Sequence, residues 1–509
     1  MGLLELQRLM SLQRDRRRRL RRTRHRNGLV TPSVCKRKGS PCQQDGDGHS
    51  RAAKITRYLT PDLPEDIWHH IHSLMPLHDA ARAACLSRAF LHSWRCYPNL
   101  TLNRYALRSK PYGKRDFDDK VDRILRNHAG KILKLELSDV SLRCLNSWLH
   151  VAVTPGIEEL TVEPHIHIKT KYNFPCSLFS EGVRNSIRYL CLGFCAFSPT
   201  AELGPLRKLT RLHLCTVHIT GDELDCLLSN TLGLQQLVLF NCDKIIRVKI
   251  PCVLQQLTDL TVSYCWRLRV IKSKAPNLSS LSFTRKPKLS LGETWQKLKK
   301  LTVSSSEAVC YARTELPSIM PNLEILDISS DNEEVNTPML PTKFLCLKHL
   351  SISMTSALDF SPSYDYFSLV SFLDASPFLE TLILDVSQEC MKHKSVFGRY
   401  SPWRQMPEHR HCCLKSVKIT GFSSAKSLVE LACYIVKNAV SLECLTLDTL
   451  YGFRCSGEND KKCLPMSDGI LREAPRAAKA IRSYIKKKVP PTVRFTVLEP
   501  CSRCHSRRP

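Results

Sequence analysis

The chain has 509 residues, enough for two or more domains or for one long repeat array. Apolar residues make up 43% of it, and 76 Lys and Arg residues outweigh 47 Asp and Glu residues, so the chain is both foldable and strongly basic. No run of 18 uninterrupted apolar residues occurs, and we therefore expect no membrane-spanning helix.

The first 57 residues are the most basic part of the chain. Nine arginines lie between Arg14 and Arg26, with little apolar periodicity around them. This composition is typical of a disordered, solvated tail. A nuclear import signal and an organelle transit peptide remain as alternatives. Nucleic-acid binding is less favoured, because no aromatic side chains are interleaved with the arginines.

The 24 cysteines raise the question of the redox compartment. A secretory signal places its positive charge before its apolar run, whereas here "MGLLELQRLM" precedes the arginines. We therefore interpret the cysteines as reduced thiols in the nucleus, the cytoplasm or both, where they act as small buried apolar residues.

A helical segment is predicted over residues 58–98. Ile67, Ile71 and Leu74 recur at helical spacing after Pro64, and Pro76 ends this first helix.

Two more helices complete the segment. Asp79 is the predicted N-cap of an alanine-rich second helix, and Phe90 and Trp94 mark one face of a third. About 35 residues rarely bury a stable core unaided. Because neither metal ligands nor disulfides are in prospect, we expect a partner to cover the segment.

After a predicted linker over 99–130, a period dominates residues 131–450. An apolar residue, two variable residues, an apolar residue, one variable residue and a further apolar residue recur thirteen times. The copies are 132–137, 157–162, 187–192, 209–214, 234–239, 257–262, 278–283, 298–303, 323–328, 347–352, 379–384, 414–419 and 442–447. Cys195, Cys242 and Cys265 stand three positions after the last apolar residue of their copies. This is the leucine-rich-repeat signature.

The repeats predict an α/β solenoid with a curved parallel sheet of roughly 60 Å. Its concave face displays the variable residues of each strand and suits a macromolecular ligand. The candidate target-binding residues of the middle repeats are Arg211, His213, Gln236, Val238, Phe240, Asp259 and Thr261.

Residues 451–509 are predicted to cap the open end of the array. Ser467 would begin a helix that runs to about Lys487, and the alternating segment 492–498 predicts a strand. A tail follows.

Several motifs could suggest other chemistry. The Cys501–Cys504–His505 pattern matches a haem-attachment motif or half of a zinc site, but a plain tail is favoured because no further ligands are evident. The histidines His69, His70 and His72 are favoured as solvated or adaptor-facing residues, and the pair His165 and His167 is favoured as a non-metal pair because no third ligand is evident. No phosphate-binding glycine loop, nucleophile elbow or metalloprotease motif occurs, so we expect neither enzymatic activity nor a cofactor.

With these elements in place, the chain resembles plant F-box/leucine-rich-repeat proteins that also carry an FBD-type region. "LPEDIWHHIHSLMPLHDAARAACLSRAFLHSW" is similar to the F-box of grass members, and residues 412–450, with "CLKSVKITGFSSAKSLVELACYIVKNAVSLECLTLDT", resemble the FBD pattern. The resemblance covers residues from about 60 to 509.

The resemblance implies the substrate-recognition subunit of an SCF-type ubiquitin ligase. The F-box would dock on a Skp-type adaptor, and through it on a cullin, while the repeats hold an unidentified target protein. The residues that match the apolar F-box pattern, and would contact the adaptor or pack the helices, are Leu63, Pro64, Ile67, Ile71, Leu74, Pro76, Leu77, Leu86 and Trp94. A repeat scaffold that binds partners without ubiquitin transfer is the alternative.

Overall fold

A computed structural model describes residues 64–109, 114–165, 172–200, 203–331, 333, 342–354, 364–387, 393–398, 402–405, 408–451 and 468–501. The chain divides into two compact units, Met1–Tyr97 and Pro98–Pro509. Predictions on Leu63, His167, Ser467, Cys504 and His505 fall outside the described residues.

The described part of the first unit is a three-helix module. Its helices are α1 (Glu65–Leu74), α2 (Leu77–Ala83) and α3 (Arg88–Arg95). Pro64 precedes α1 as predicted, and Ser87 caps α3 by accepting a hydrogen bond from the backbone N–H of Phe90 at 3.1 Å. The predicted N-cap at Asp79 is wrong, because α2 begins two residues earlier, directly after Pro76.

The second unit is built on a fifteen-stranded sheet in which every neighbouring pair is parallel and almost every strand follows its neighbour in chain order. Each of the thirteen predicted repeats supplies one strand, which confirms the solenoid. The strands of this sheet are β1 (Asn99–Leu102), β2 (Lys134–Val140), β3 (Glu159–Pro164), β5 (Tyr189–Gly193), β7 (Arg211–Cys215), β8 (Gln236–Phe240), β10 (Asp259–Ser263), β12 (Ser280–Thr284), β14 (Lys300–Ser304), β15 (Ile325–Ser330), β16 (His349–Met354), β17 (Thr381–Val386), β18 (Ser416–Thr420), β19 (Cys444–Asp448) and β20 (Arg494–Leu498).

The return segments of the repeats carry helices and two smaller sheets. β4 (Tyr172–Asn173) pairs with β6 (Cys195–Ala196), while β9 (Arg247–Ile250), β11 (Val270–Ser273) and β13 (Lys288–Ser290) form a three-stranded sheet. The helices are α4 (Lys114–Asn127), α5 (Leu142–Ala152), α6 (Glu181–Arg184), α7 (Gly221–Ser229), α8 (Ala308–Thr314), α9 (Leu316–Ile319), α10 (Val370–Ala375), α11 (Lys426–Asn438) and α12 (Asp468–Ala480).

Two strands flank the thirteen predicted ones. β1 lies within the predicted linker 99–130 and pairs with β2, so this part of the segment belongs to the sheet. Tyr97, Leu100 and Leu102 have the repeat spacing, but an aromatic residue occupies the first position. At the other end, β20 lies within the predicted strand 492–498 and pairs with β19.

The bend after each strand explains the cysteines. In six repeats the non-glycine residue two positions beyond the last apolar residue adopts a left-handed conformation, with φ of 53° at Phe194 and 58° at Thr216. In three of these six the next position is a buried cysteine, and in Cys242 the thiol donates to the backbone carbonyl of Leu214 at 3.4 Å. Cysteine thus supplies both a small side chain and a hydrogen-bond donor for a backbone carbonyl at this bend, and the described cysteines are free thiols.

The core lies between the main sheet and the return segments. Repeat leucines such as Leu212, Leu237 and Leu281 are fully buried. Since no single repeat can cover its own leucines, stability arises from stacked neighbours. Among the described residues, no helix combines the length and apolarity needed to cross a membrane.

Candidate functional site

The three-helix module packs around a small aromatic centre. Phe90 of α3 contacts Trp68 and His72 of α1, with ring centroids 4.8 and 5.2 Å apart. The hydroxyl of Tyr97 donates to the carbonyl oxygen of Met75 at 2.8 Å. These contacts hold α1 against α3.

The structure corrects the interpretation of the α1 histidines. His72 is fully buried and is therefore neither solvated nor available to an adaptor, whereas His70 is exposed. His72 faces α3 because it lies four residues, about one turn, after Trp68. His69 lies close to His92 and Cys96, a grouping that sequence analysis missed because these residues belong to different helices.

Large apolar side chains of the module remain uncovered. Relative exposures are 41% for Ile67, 73% for Leu74, 77% for Leu86 and 39% for Leu91. The described part of the module spans only residues 64–97, and four such side chains in so short a segment exceed the scattered exposure expected of an ordinary surface. The module thus presents apolar surface that its own helices do not cover.

The remaining predicted adaptor residues differ in accessibility. Pro64 and Pro76 are exposed, and Ile71 and Trp94 are half-buried. Leu77 is only 7% exposed and packs the helices together, so it is not available as a contact residue. Leu91 was not among the predicted residues; it follows Phe90 directly and therefore lies about 100° away from it around α3.

The seven predicted target-binding residues lie on one face of three neighbouring strands. Cross-strand register places Gln236 between Arg211 and Asp259, and Val238 between His213 and Thr261. Phe240 lies at the end of the same face. The intervening leucines point into the core, as strand alternation requires.

A polar and aromatic cluster begins this face. The guanidinium of Arg211 lies 4.6 Å from the centre of the Tyr189 ring and forms an ion pair with Glu159 at 3.1 Å. The hydroxyl of Tyr189 lies 3.2 Å from Nδ1 of His213. Burial lowers the pKa of His213, because a charged imidazole is disfavoured away from water. The imidazole is consequently neutral at pH 7.

An aromatic ridge continues from Phe240. Its ring centroid is 5.1 Å from that of Tyr264, which is 6.0 Å from Trp266. The guanidinium of Arg285 stacks 4.8 Å from the centre of the Trp266 ring, and Trp266 is 54% exposed. Trp, Tyr and Arg are the side chains most enriched at binding hot spots.

Sequence analysis missed Tyr189, Tyr264, Trp266 and Arg285. Tyr189 could have been found, because it holds the same strand position as Arg211 one repeat earlier. Tyr264 and Trp266 lie in the bend after β10, where no strand alternation assigns a side chain to a face.

The structure describes only one residue of the histidine pair after β3 and one of the cysteine motif near the end of the chain. His165 is exposed after β3, and Cys501 is half-buried after β20. A separate group, Asp374, His409 and His411, lies beside α11, where the buried hydroxyl of Tyr434 is 3.0 Å from Nε2 of His411 and 3.1 Å from Oδ1 of Asp374.

One strand per repeat, a buried leucine ladder and a three-helix module with uncovered apolar residues define a leucine-rich-repeat protein with an F-box. A family model for the F-box domain matches residues 61–100. The model described as "At1g61320/AtMIF1, LRR domain" matches residues 124–502, well over half of the chain. The chain therefore belongs to this leucine-rich-repeat family.

Curated relatives from Arabidopsis thaliana have the same organisation in their names. The chain is 27% identical to "F-box/LRR-repeat protein At4g14096" over 356 residues, covering 64% of this chain and 73% of that protein. It is 25% identical to "Putative F-box/FBD/LRR-repeat protein At5g56810" over 403 residues, covering 76% of this chain and 88% of the relative. It is similarly related, at 21% identity, to "Putative FBD-associated F-box protein At1g61330", with 79% and 92% coverage.

Proposed function

We propose that the chain is the substrate-recognition subunit of an SCF-type ubiquitin ligase. The observation that carries this proposal is the uncovered apolar surface of the F-box, formed by Ile67, Leu74, Leu86 and Leu91. A Skp-type adaptor covers this surface, and the adaptor in turn binds a cullin. The chain is a receptor and not an enzyme, since ubiquitin transfer is performed by other subunits.

The energetics are compatible with a docking role. Complete burial of one large apolar side chain contributes about 1.5–3 kcal/mol. Four partly exposed side chains therefore supply several kcal/mol, of the same order as an association cost of about 4–15 kcal/mol. Loss of two of the four would weaken docking severely.

The target binds the concave face of the array in this proposal. Arg211 and Tyr189 offer cation and hydroxyl contacts on the strands, and Trp266 offers an aromatic contact in the bend after β10. Residues 412–450, which resemble the FBD pattern, contribute α11 and its flanking strands to the far part of the array. We propose the nucleus, the cytoplasm or both as the site of action.

Pull-down with a Skp-type adaptor tests the F-box assignment. Leu74→Ala combined with Leu86→Ala removes two exposed side chains and should reduce adaptor capture at least tenfold, with the fold unchanged. Leu232→Ala with Val253→Ala is the matched control, because these residues are similarly exposed but lie in the repeats. Equal capture by both double variants would reject the docking surface.

A second measurement separates the ligase subunit from a repeat scaffold. The adaptor complex should recruit a cullin. Proximity labelling with a docking-deficient variant should enrich target proteins, and these proteins should be more abundant in cells that carry the variant than in cells that carry the wild type. Adaptor-independent partners with unchanged turnover would favour the scaffold.

A further inference from the structure

Three potential metal-ligand side chains, those of His69, His92 and Cys96, meet on one side of the three-helix module, and Glu65 contacts one of them. Glu65 and His69 are four residues apart on α1, and His92 and Cys96 are four residues apart at the end of α3. Such pairs lie on one face of a helix. One donor atom from each of His69, His92 and Cys96 lies within 4.8 Å of the other two, and Nε2 of His92 is 2.5 Å from Oε1 of Glu65.

The environment of His69 is a second, independent observation. Its Nε2 atom is buried and has no hydrogen-bond partner among the described residues. A buried polar atom without a partner costs free energy. The rings of His69 and His92 lie nearly parallel, at 25°, with centroids 6.2 Å apart. Both imidazoles are thus held together without an ion pair or hydrogen bond between them.

The size of the module supplies a reason for a metal ion. Among residues 64–97, the described part of the module, the buried apolar residues are only Leu77, Ala80, Ala84 and Tyr97. Modules of this length usually need a disulfide, a metal or a partner to remain folded. A metal that joins α1 to α3 would cross-link the first and last helices of the module.

We propose that the module binds one zinc ion through Glu65, His69, His92 and Cys96. Two imidazoles, a thiolate and a carboxylate suit zinc, whereas calcium and magnesium prefer oxygen ligands alone. Tetrahedral zinc, at about 2.0–2.3 Å from each ligand, requires donor atoms roughly 3.3–3.8 Å apart. To reach these separations, the donors of His69, His92 and Cys96 would have to move closer from distances of up to 4.8 Å, and Oε1 of Glu65 would have to move away from Nε2 of His92.

The proton balance of binding follows from the environment of Cys96. Burial, and secondarily the charge of Glu65, raise the pKa of its thiol, so the metal-free cysteine is protonated at pH 7. Zinc binding forms the thiolate and releases that proton to solvent. No electron transfer is involved.

The group of Asp374, His409 and His411 is the weaker candidate. There the Tyr434 hydroxyl already lies within hydrogen-bond distance of both Asp374 and His411. A metal would have to break two hydrogen bonds of a buried hydroxyl there, whereas at the first group it would have to open only the contact between Glu65 and His92, so this group is included in the experiment only as a competing site.

Metal titration of the full chain tests the proposal. Reduced, chelator-treated protein is titrated with Co²⁺, followed by displacement with Zn²⁺. The wild type should develop a sulfur-to-cobalt charge-transfer band that zinc removes. Cys96→Ser and His92→Ala should each lose one equivalent of tightly bound metal. Cys85→Ser and His70→Ala are matched controls, because both residues are exposed in the same module but lie outside the group.

The outcomes separate the alternatives. Equal metal content in the wild type and Cys96→Ser overturns the proposal, and loss of metal in His409→Ala alone assigns the metal to the competing group. Glu65→Gln guards against unfolding, since this exposed change leaves the packing intact; its zinc affinity should fall at least about tenfold. Unaltered affinity in Glu65→Gln removes that ligand and with it the four-ligand site. Because no step depends on an adaptor, these results are independent of the proposed ligase function.

Discussion

Gly421 offers the sharpest test of how neighbouring repeats support each other. It follows β18 directly, with φ of +73°, a conformation that costs an L-residue about 1–2 kcal/mol. A Cβ atom at this position would lie 1.8 Å from the carbonyl oxygen of Val386 at the end of β17. The obstacle is backbone and cannot rotate away.

The expected magnitude for Gly421→Ala combines two costs. Backbone strain contributes about 1–2 kcal/mol, and forcing β17 away from β18 adds about 1–3 kcal/mol, as overpacking typically does. We therefore expect a loss of about 2–5 kcal/mol in the free energy of unfolding of the adjoining repeats.

Gly292→Ala is the matched control for this prediction. Gly292 has φ of +52°, yet nothing lies within 4 Å of the position of its Cβ. It should therefore lose only the strain of about 1–2 kcal/mol. Urea unfolding of both variants, followed by circular dichroism, measures the difference. If the two lose the same stability, the clash with Val386 is not a real constraint and the reasoning fails.

Two further predictions concern the repeat strands and the bend after β10. Burial lowers the pKa of His213 below its ordinary value of 6.5, so the unfolded chain binds a proton more readily than the folded chain does. The free energy of unfolding should therefore fall as the pH drops through and below about 6.5. Urea melts at pH 7 and 5.5 should show that His213→Gln flattens this dependence, whereas His70→Gln, at an exposed residue, should not. Trp266→Ala, which removes an exposed aromatic side chain, should reduce capture of the target several-fold without altering the melting temperature. Leu345→Ala, at a similarly exposed residue of the array, should leave capture unchanged. A normal yield of target with Trp266→Ala would exclude the aromatic ridge from the binding surface.

The period of apolar residues was sufficient to predict thirteen strands of the sheet. The prediction succeeds because each repeat must place leucines at fixed intervals to meet those of its neighbours. The buried positions can therefore be identified within the sequence of each repeat. The cysteine positions were predictable for the same reason: a small buried side chain suits the bend, as Cys242 shows. The period did not predict β1, because Tyr97 occupies the first position of the spacing, where the other copies have an aliphatic residue.

Tertiary structure alone decided which residues of the helical module are covered and which are not. The apolar F-box pattern includes Leu77 and Leu86 alike, but packing buries the first and leaves the second 77% exposed. It also decided that His72 lies inside, and that His69 meets His92 and Cys96. These groupings depend on how separate helices and bends come together, and spacing along one segment carries no information about a neighbour contributed by another.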